Sequence, residues 1–275
     1  MPARVHRAFA LVALAACASS ADQDDPLYFD EGDGPADSPG EAWTSVGRGV
    51  AYNRVNTGSA ILIAYGGYTA RLSYSARWAE ALVDARLGAA GVGSIYAVQG
   101  PQDASYSARE IGNSKLRAHL ASIDDGTSTI FVVGHSSGSF VAHELFDQLF
   151  AAGNTSVLSR IDYADLDGGG SGLTQDIVDA MHGVSFAYAH DPTLPSGYSE
   201  NNATARALAA DYAPHASLYE VMIPSTGCHN GAGWCLHDVL VTHRPHDPTT
   251  YDLADDYTDF AARPVTTEYF DSFSP

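Results

Sequence analysis

The chain has 275 residues, 45% of them apolar, with 33 acidic against 14 basic side chains and a formal charge of −19 at pH 7. That is enough material for one large domain with a substantial core. The charge excludes recognition of nucleic-acid phosphates, which needs clustered Lys and Arg, and it opposes electrostatic attachment to anionic lipid.

Residues 1–16 have the pattern of an export signal. Arg4, His6 and Arg7 give a short basic start, and Ala8 to Ala16 an apolar stretch too short to span a bilayer. The stretch ends in Leu14-Ala15-Ala16-Cys17, which resembles a bacterial lipobox. By that resemblance Cys17 becomes the lipidated first residue of the exported chain. Ordinary signal cleavage around Ala16-Cys17-Ala18 is the competing reading. Ala18, rather than an aspartate, follows the cysteine, which points to the outer membrane or cell surface. Residues 17–43 are acidic and Gly/Pro-bearing, without Lys or Arg, and are expected to form a disordered tether. The folded domain is then 44–275.

Along that domain, β-rich runs alternate with helical spacing. Gly49 to Arg54 is a weak first strand. Ala60 to Tyr65 is a strong one, followed at once by Gly66-Gly67-Tyr68. Ser73 to Leu87 has helical spacing with Trp78, Leu82 and Val83 inward, and Ser94 to Gln99 is a strand closed by Gly100-Pro101. A helix over Glu110 to Ser122 carries Ile111, Leu116 and Leu120. The strand Thr129 to Val133 runs into Gly134-His135-Ser136-Ser137-Gly138, after which Phe140, Val141 and Leu145 resume helical spacing. Three further strands, Arg160 to Leu166, Gly183 to Ala189 and Ser217 to Ile223, are separated by helices near residues 174–181 and 202–212. Such alternation implies a mainly parallel sheet with helices on both faces. The strand count is small, so the leading antiparallel hairpin is expected to be missing.

The G-x-S-x-G pentapeptide sits where a nucleophile elbow needs it, between a buried strand and an amphipathic helix. The turn holds its serine in a strained backbone, so Gly134 and Gly138 must be nearly free of side chain. The bland alternative is a glycine-rich turn with an N-capping serine. From about residue 44 onward the chain resembles the α/β-hydrolase fold. That resemblance implies a three-layer α/β sandwich, here of reduced strand number. The short glycine-rich region after Leu166, where lids are often inserted, leads to the expectation of little or no lid. The resemblance also implies Ser136 as nucleophile, with an acid and a histidine following in that order.

Asp191 closes the penultimate strand and is the first choice of acid. Asp167, before Gly168-Gly169-Gly170, is the alternative. Either could instead be an Asx-turn residue. His237 is the first choice of base, with His229 second and His246 third. His243 lies in the same late region. His135 and His143 read as packing or surface residues, and His190 as structural. The oxyanion hole needs two convergent N–H groups: one from Ser137, the other from Gly67 or Tyr68. Here Tyr65 stands where lipases with an HGGG-type turn carry histidine.

Once Cys17 is assigned to lipid, Cys228 and Cys235 remain as a pair with six residues between them. In an oxidising compartment a disulfide is expected, worth roughly 2–3 kcal/mol by loop entropy. Zinc held with His229 and His237 is the competing reading, but the spacing does not match the usual knuckle patterns. Cutinases resemble this region, having a cysteine pair with the same gap upstream of their histidine. That histidine follows a proline, as His246 does, whereas their acid lies within the bridged loop, where this chain has no carboxylate.

The function expected is an exported esterase or lipase-like serine hydrolase with an exposed site. It is expected to be a monomer that needs no cofactor or metal, takes a small or polymeric ester, and meets the membrane only through lipid on Cys17. An acyltransferase or peptidase on the same fold, and a non-catalytic surface lipoprotein, are the alternatives.

Overall fold

The apolar runs of the sequence become strands of one sheet, their successive side chains passing to opposite faces. The computed structural model describes residues 40–68, 70–101, 112–168, 172–190, 199–222, 237, 240 and 241. Among the described residues there are eight strands: β1 (Thr44–Gly47), β2 (Val50–Arg54), β3 (Ala60–Tyr65), β4 (Val92–Val98), β5 (Ile130–His135), β6 (Ile161–Leu166), β7 (Gly183–His190) and β8 (Ala216–Met222). The helices are α1 (Leu72–Leu82), which continues through a wider turn at Val83–Leu87, α2 (Asn113–Ile123), α3 (Gly138–Ala151), α4 (Thr155–Leu158), α5 (Gln175–Ala180) and α6 (Ser199–Asp211).

The strands lie in the order β1-β2-β4-β3-β5-β6-β7-β8. β2 pairs antiparallel with both β1 and β4, and every other pairing is parallel. Helices cover both faces, which makes this an α/β-hydrolase-like three-layer sandwich. The expected reduction in strand number is not met, because β1 and β2 form the leading antiparallel hairpin. β1 is four residues long with exposed Thr44 and Ser45, too short and too polar to show strand alternation in sequence. The hairpin reverses at Gly49, whose φ of 64° suits glycine.

Each parallel strand deals its side chains alternately to two cores. Leu62, Ala64, Phe131, Val133, Ala164 and Leu166 pack under α1 with Trp78 and Leu82, and Leu240 and Val241 join that layer. On the other face Ile61, Ile63, Ile130, Val132, Ile161 and Tyr163 pack with Leu116 of α2, Val141, Leu145 and Phe146 of α3, and Ile177 of α5. These strands are buried on both faces, which is why they read as continuous apolar runs. Such a sheet gathers its ligands beyond the carboxyl ends of its strands, where β3, β5 and β6 deliver Gly66-Gly67, Ser136 and Asp167.

Candidate active site

β5 is buried along its whole length, so its end is a fixed platform. There the backbone turns sharply: Ser136 has a φ of 53°, in the left-handed region that a residue with a Cβ seldom adopts. The turn is held by the Ser136 N–H donating to Leu166 O at 2.9 Å and the Ser139 N–H donating to Ser136 O at 3.1 Å. Both flanking glycines are sterically required. A Cβ on Gly134 would lie 2.8 Å from Ser139 Cα, and one on Gly138 would lie 2.6 Å from Tyr65 O. The helix α3 starts at Gly138, so its positive end adjoins a partly exposed Ser136.

The acid and the imidazole come from distant parts of the chain. Asp167 follows β6, itself with a left-handed φ of 55°, and its N–H donates to Ala187 O at 2.8 Å. Its Oδ2 lies 2.6 Å from His237 Nδ1, and both side chains are buried, at 2% and 6% exposure. Burial pushes the His237 imidazole down to about 4. A charged Asp167 at that distance acts in the opposite direction. At neutral pH the imidazole is therefore uncharged, with Nδ1–H donated to the carboxylate and Nε2 left unprotonated.

His135 ties this pair to the elbow. Its Nε2–H donates to the His237 carbonyl at 3.2 Å, and the two rings lie 4.6 Å apart. Burial first, then the neighbouring His237, holds the His135 pKa well below the usual histidine value, so it stays neutral. The glycine turn after β3 meets the same corner: a Cβ on Gly67 would lie 3.1 Å from His135 Nδ1 and 3.3 Å from Ser136 Cβ. Among the described residues, the N–H groups of Gly67 and Ser137 enter no backbone hydrogen bond. Tyr68, next to Gly67, is 41% exposed. Tyr65 is fully buried and donates to Asn113 Oδ1 at 3.0 Å, while Asn113 Nδ2 donates to Val141 O at 2.9 Å, so it braces α2 against α3.

Ser136, Asp167, His237, Gly67 and Ser137 thus converge on one corner of the sheet. Asp191, His229, His246, His243, Cys17, Cys228 and Cys235 lie outside the described residues, as does the side chain of His190. The first-choice acid is therefore undescribed, while the alternative, Asp167, is the partner of His237. His135 and His143 are both buried, at 5% and 2% exposure. Sequence reasoning passed over Asp165, a fully buried carboxylate beneath the elbow. The signal for it is parity: it shares a strand face with Tyr163 and Ile161.

No family model and no curated protein matches the chain. Among solved structures it is similar to a sugar hydrolase from Lactococcus lactis, at 13% identity and a TM-score of 0.47, covering 84% of this chain and 94% of that one. It is also similar to a thermostable esterase (14%, TM-score 0.44, 81% of this chain and 58% of that one). An esterase/lipase from an uncultured bacterium matches at 12% with a TM-score of 0.38, covering 66% of this chain and 75% of that one. Likeness at this level concerns the path of the chain and says nothing of reaction or substrate.

Proposed function

We propose that the chain is a serine hydrolase that cleaves carboxylic esters through an acyl-enzyme on Ser136, with His237 as base and Asp167 as its orienting acid. The observation that carries this reading is the buried His237–Asp167 bond of 2.6 Å beside a serine held at a φ of 53°. A serine hydroxyl is a weak nucleophile until a base takes its proton. Neutral His237, its Nδ1–H committed to Asp167, offers Nε2 for that proton as Ser136 Oγ attacks the ester carbonyl. The developing oxyanion takes hydrogen bonds from the N–H of Ser137 and of Gly67 or Tyr68. His237 returns the proton to the departing alcohol, and water then repeats the sequence to release the acid. Asp191 remains the alternative acid.

The proposal extends to location. Lipid on Cys17 would hold the domain at the outer membrane or cell surface, with a Cys228–Cys235 disulfide formed after export. Metabolic labelling with palmitate, lost in C17S, checks the first point. Alkylation with and without reductant, read by mass, checks the second.

The decisive experiment is labelling of the purified domain with a fluorophosphonate, the adduct mapped by mass spectrometry, alongside S136A. A single adduct on Ser136, absent from the variant, supports the reading. A folded but inert protein would move the assignment to a non-catalytic binding role. Competition between water, alcohols and amines for the acyl group separates hydrolysis from acyl transfer, and peptide substrates test for amide cleavage.

A further inference from the structure

Beneath the elbow lies a carboxylate that the proposed reaction does not use. Asp165 stands two residues before Asp167, on the face of β6 where Ile161 and Tyr163 enter the core under α3. It is 2% exposed. Its Oδ1 accepts the Gly168 N–H at 2.7 Å and the Ser139 hydroxyl at 3.2 Å. Its Oδ2 faces His143 Nε2 at 3.6 Å, and that nitrogen also lies 2.9 Å from the Tyr163 hydroxyl. The groups around it are Ser139 and His143 from α3, Tyr163 from its own strand, and Asp167 and Gly168 from the turn.

We propose that Asp165 is a positioning residue, which clamps the turn bearing Asp167 onto the first turn of the nucleophile's helix and so sets the acid against His237. This rests on the assignment of Asp167 and His237 made above. Three observations support it independently.

First, Asp167 holds a left-handed φ of 55°, a conformation that persists only where the surroundings over-determine it. Ala187 O fixes the amide before it, and Asp165 fixes the amide after it. Second, the turn sits tightly on α3: a Cβ on Gly168 would lie 2.5 Å from Asp165 Oδ1 and would run into the Ser139 side chain. Third, the Ser139 hydroxyl is shared between Asp165 Oδ1 and Gly134 O, at 3.2 and 3.1 Å. One carboxylate therefore reaches the acid's turn directly and the elbow's glycine through a single hydroxyl. Burial pushes the Asp165 carboxyl up to about 7, with the Gly168 and Ser139 bonds pulling it back down. A proton on Oδ2 would leave both Oδ1 contacts in place, so the clamp works in either charge state.

The test compares D165N and D165L in the full chain. Asparagine keeps an Oδ1 acceptor for both donors, whereas leucine keeps the volume and removes it. Three quantities are read: Tm, kcat and KM on p-nitrophenyl butyrate, and the low-field Nδ1 proton of His237 by NMR. Misplacing a catalytic group by about 1 Å costs on the order of 10² in rate. D165L should therefore lose on the order of 10² in kcat, with KM within about twofold and the low-field proton shifted or gone. D165N should stay within about threefold of wild type with that proton in place. A folded D165L with kcat and the His237 proton unchanged overturns the proposal, as does a D165N impaired as badly as D165L. Should D165L not fold, G168A serves instead, because its methyl presses the turn off Asp165 and Ser139 without removing a polar partner. It should lose kcat and shift the proton, and a fully active G168A overturns the proposal. If wild-type Ser136 proves inert to fluorophosphonate, the hydrolase reading falls. The His237 proton still reports whether Asp165 holds Asp167 in place.

Discussion

Replacing Asp167 by asparagine exchanges one oxygen for an amide nitrogen and leaves the volume of the site unchanged. The native contact is a charge-assisted bond of 2.6 Å between side chains almost removed from water. Burial already keeps His237 neutral. In the proposed reaction the acid's work is therefore to choose the tautomer and to stabilise the imidazolium that forms in the transition state. An asparagine can present its N–H to Nδ1, which must then accept. The ring proton moves to Nε2, where Ser136 needs a lone pair. The same exchange in a serine protease costs about 10⁴ in kcat. We expect a loss on the order of 10³–10⁴ here, about 4–5 kcal/mol of transition-state stabilisation at 1.36 kcal/mol per tenfold. KM should barely move, since the change is felt only as the proton is transferred. D191N is the paired control and should stay within about threefold of wild type. The assay is kcat and KM on p-nitrophenyl butyrate, with fluorophosphonate labelling rates measured in parallel. If D167N keeps more than about a tenth of wild-type kcat while D191N collapses, Asp191 is the acid and the tautomer argument is wrong.

Other expectations follow from the geometry beneath the nucleophile. Ser136→Gly should abolish labelling yet raise Tm by roughly 2–4 °C, because glycine relieves about 1 kcal/mol of left-handed strain; an unchanged or lower Tm would show that the φ of 53° stores nothing. Gly134→Ala places its methyl against backbone, 2.8 Å from Ser139 Cα, so it should destabilise by about 1–3 kcal/mol or more and remove labelling, read by denaturant titration and probe kinetics. Asp165 gives the fold a pH signature. Its folded pKa of about 7 lies above the ordinary value of 3.8, so the stability it contributes is fully present below the unfolded value and is lost as pH rises through about 7. A rise from 3.8 to about 7 corresponds to at most about 4 kcal/mol. His237 works oppositely: its folded value of about 4 lies below 6.5, so its contribution is lost as pH falls through that window. Unfolding free energies of wild type and D165N, compared at about pH 4 and about pH 7.5, cancel the histidine and isolate the carboxylate. Equal slopes for the two proteins would refute the assigned shift.

The elbow and most of the sheet were legible in the sequence because both depend on local signals. The run Ile130 to Val133 before G-x-S-x-G fixes strand, turn and helix within a dozen residues. The strands expected at Ala60 to Tyr65, Arg160 to Leu166 and Gly183 to Ala189 coincide with β3, β6 and β7 to within a residue. β1 left no such signal, since exposed Thr44 and Ser45 give an edge strand nothing to alternate. The choice between Asp167 and Asp191 was not local either. Both follow the serine and precede the late histidines, so chain order accepts either one, and what favours Asp167 is a contact across 70 residues. Asp165 was invisible for a related reason. A carboxylate within an apolar strand reads as an interruption until Gly168 and Ser139 are seen to converge on it. His135 and His143 lacked any sequence cue to distinguish a packed imidazole from a surface one.

Leu240 and Val241, three and four residues beyond His237, are buried in the same core layer as Trp78 and Phe131. The imidazole therefore rides on an anchor that is set only once the sheet and α1 offer a finished surface for it. In the order of synthesis Ser136 precedes His237, the base proposed for it, by about a hundred residues, and the hydrogen bond to Leu166 O that holds its turn forms in between. On the proposed assignment, assembly order acts as a safety catch. A chain interrupted upstream of residue 237 would then lack the base, and proteolytic clipping before that anchor would silence the hydrolase without touching the serine.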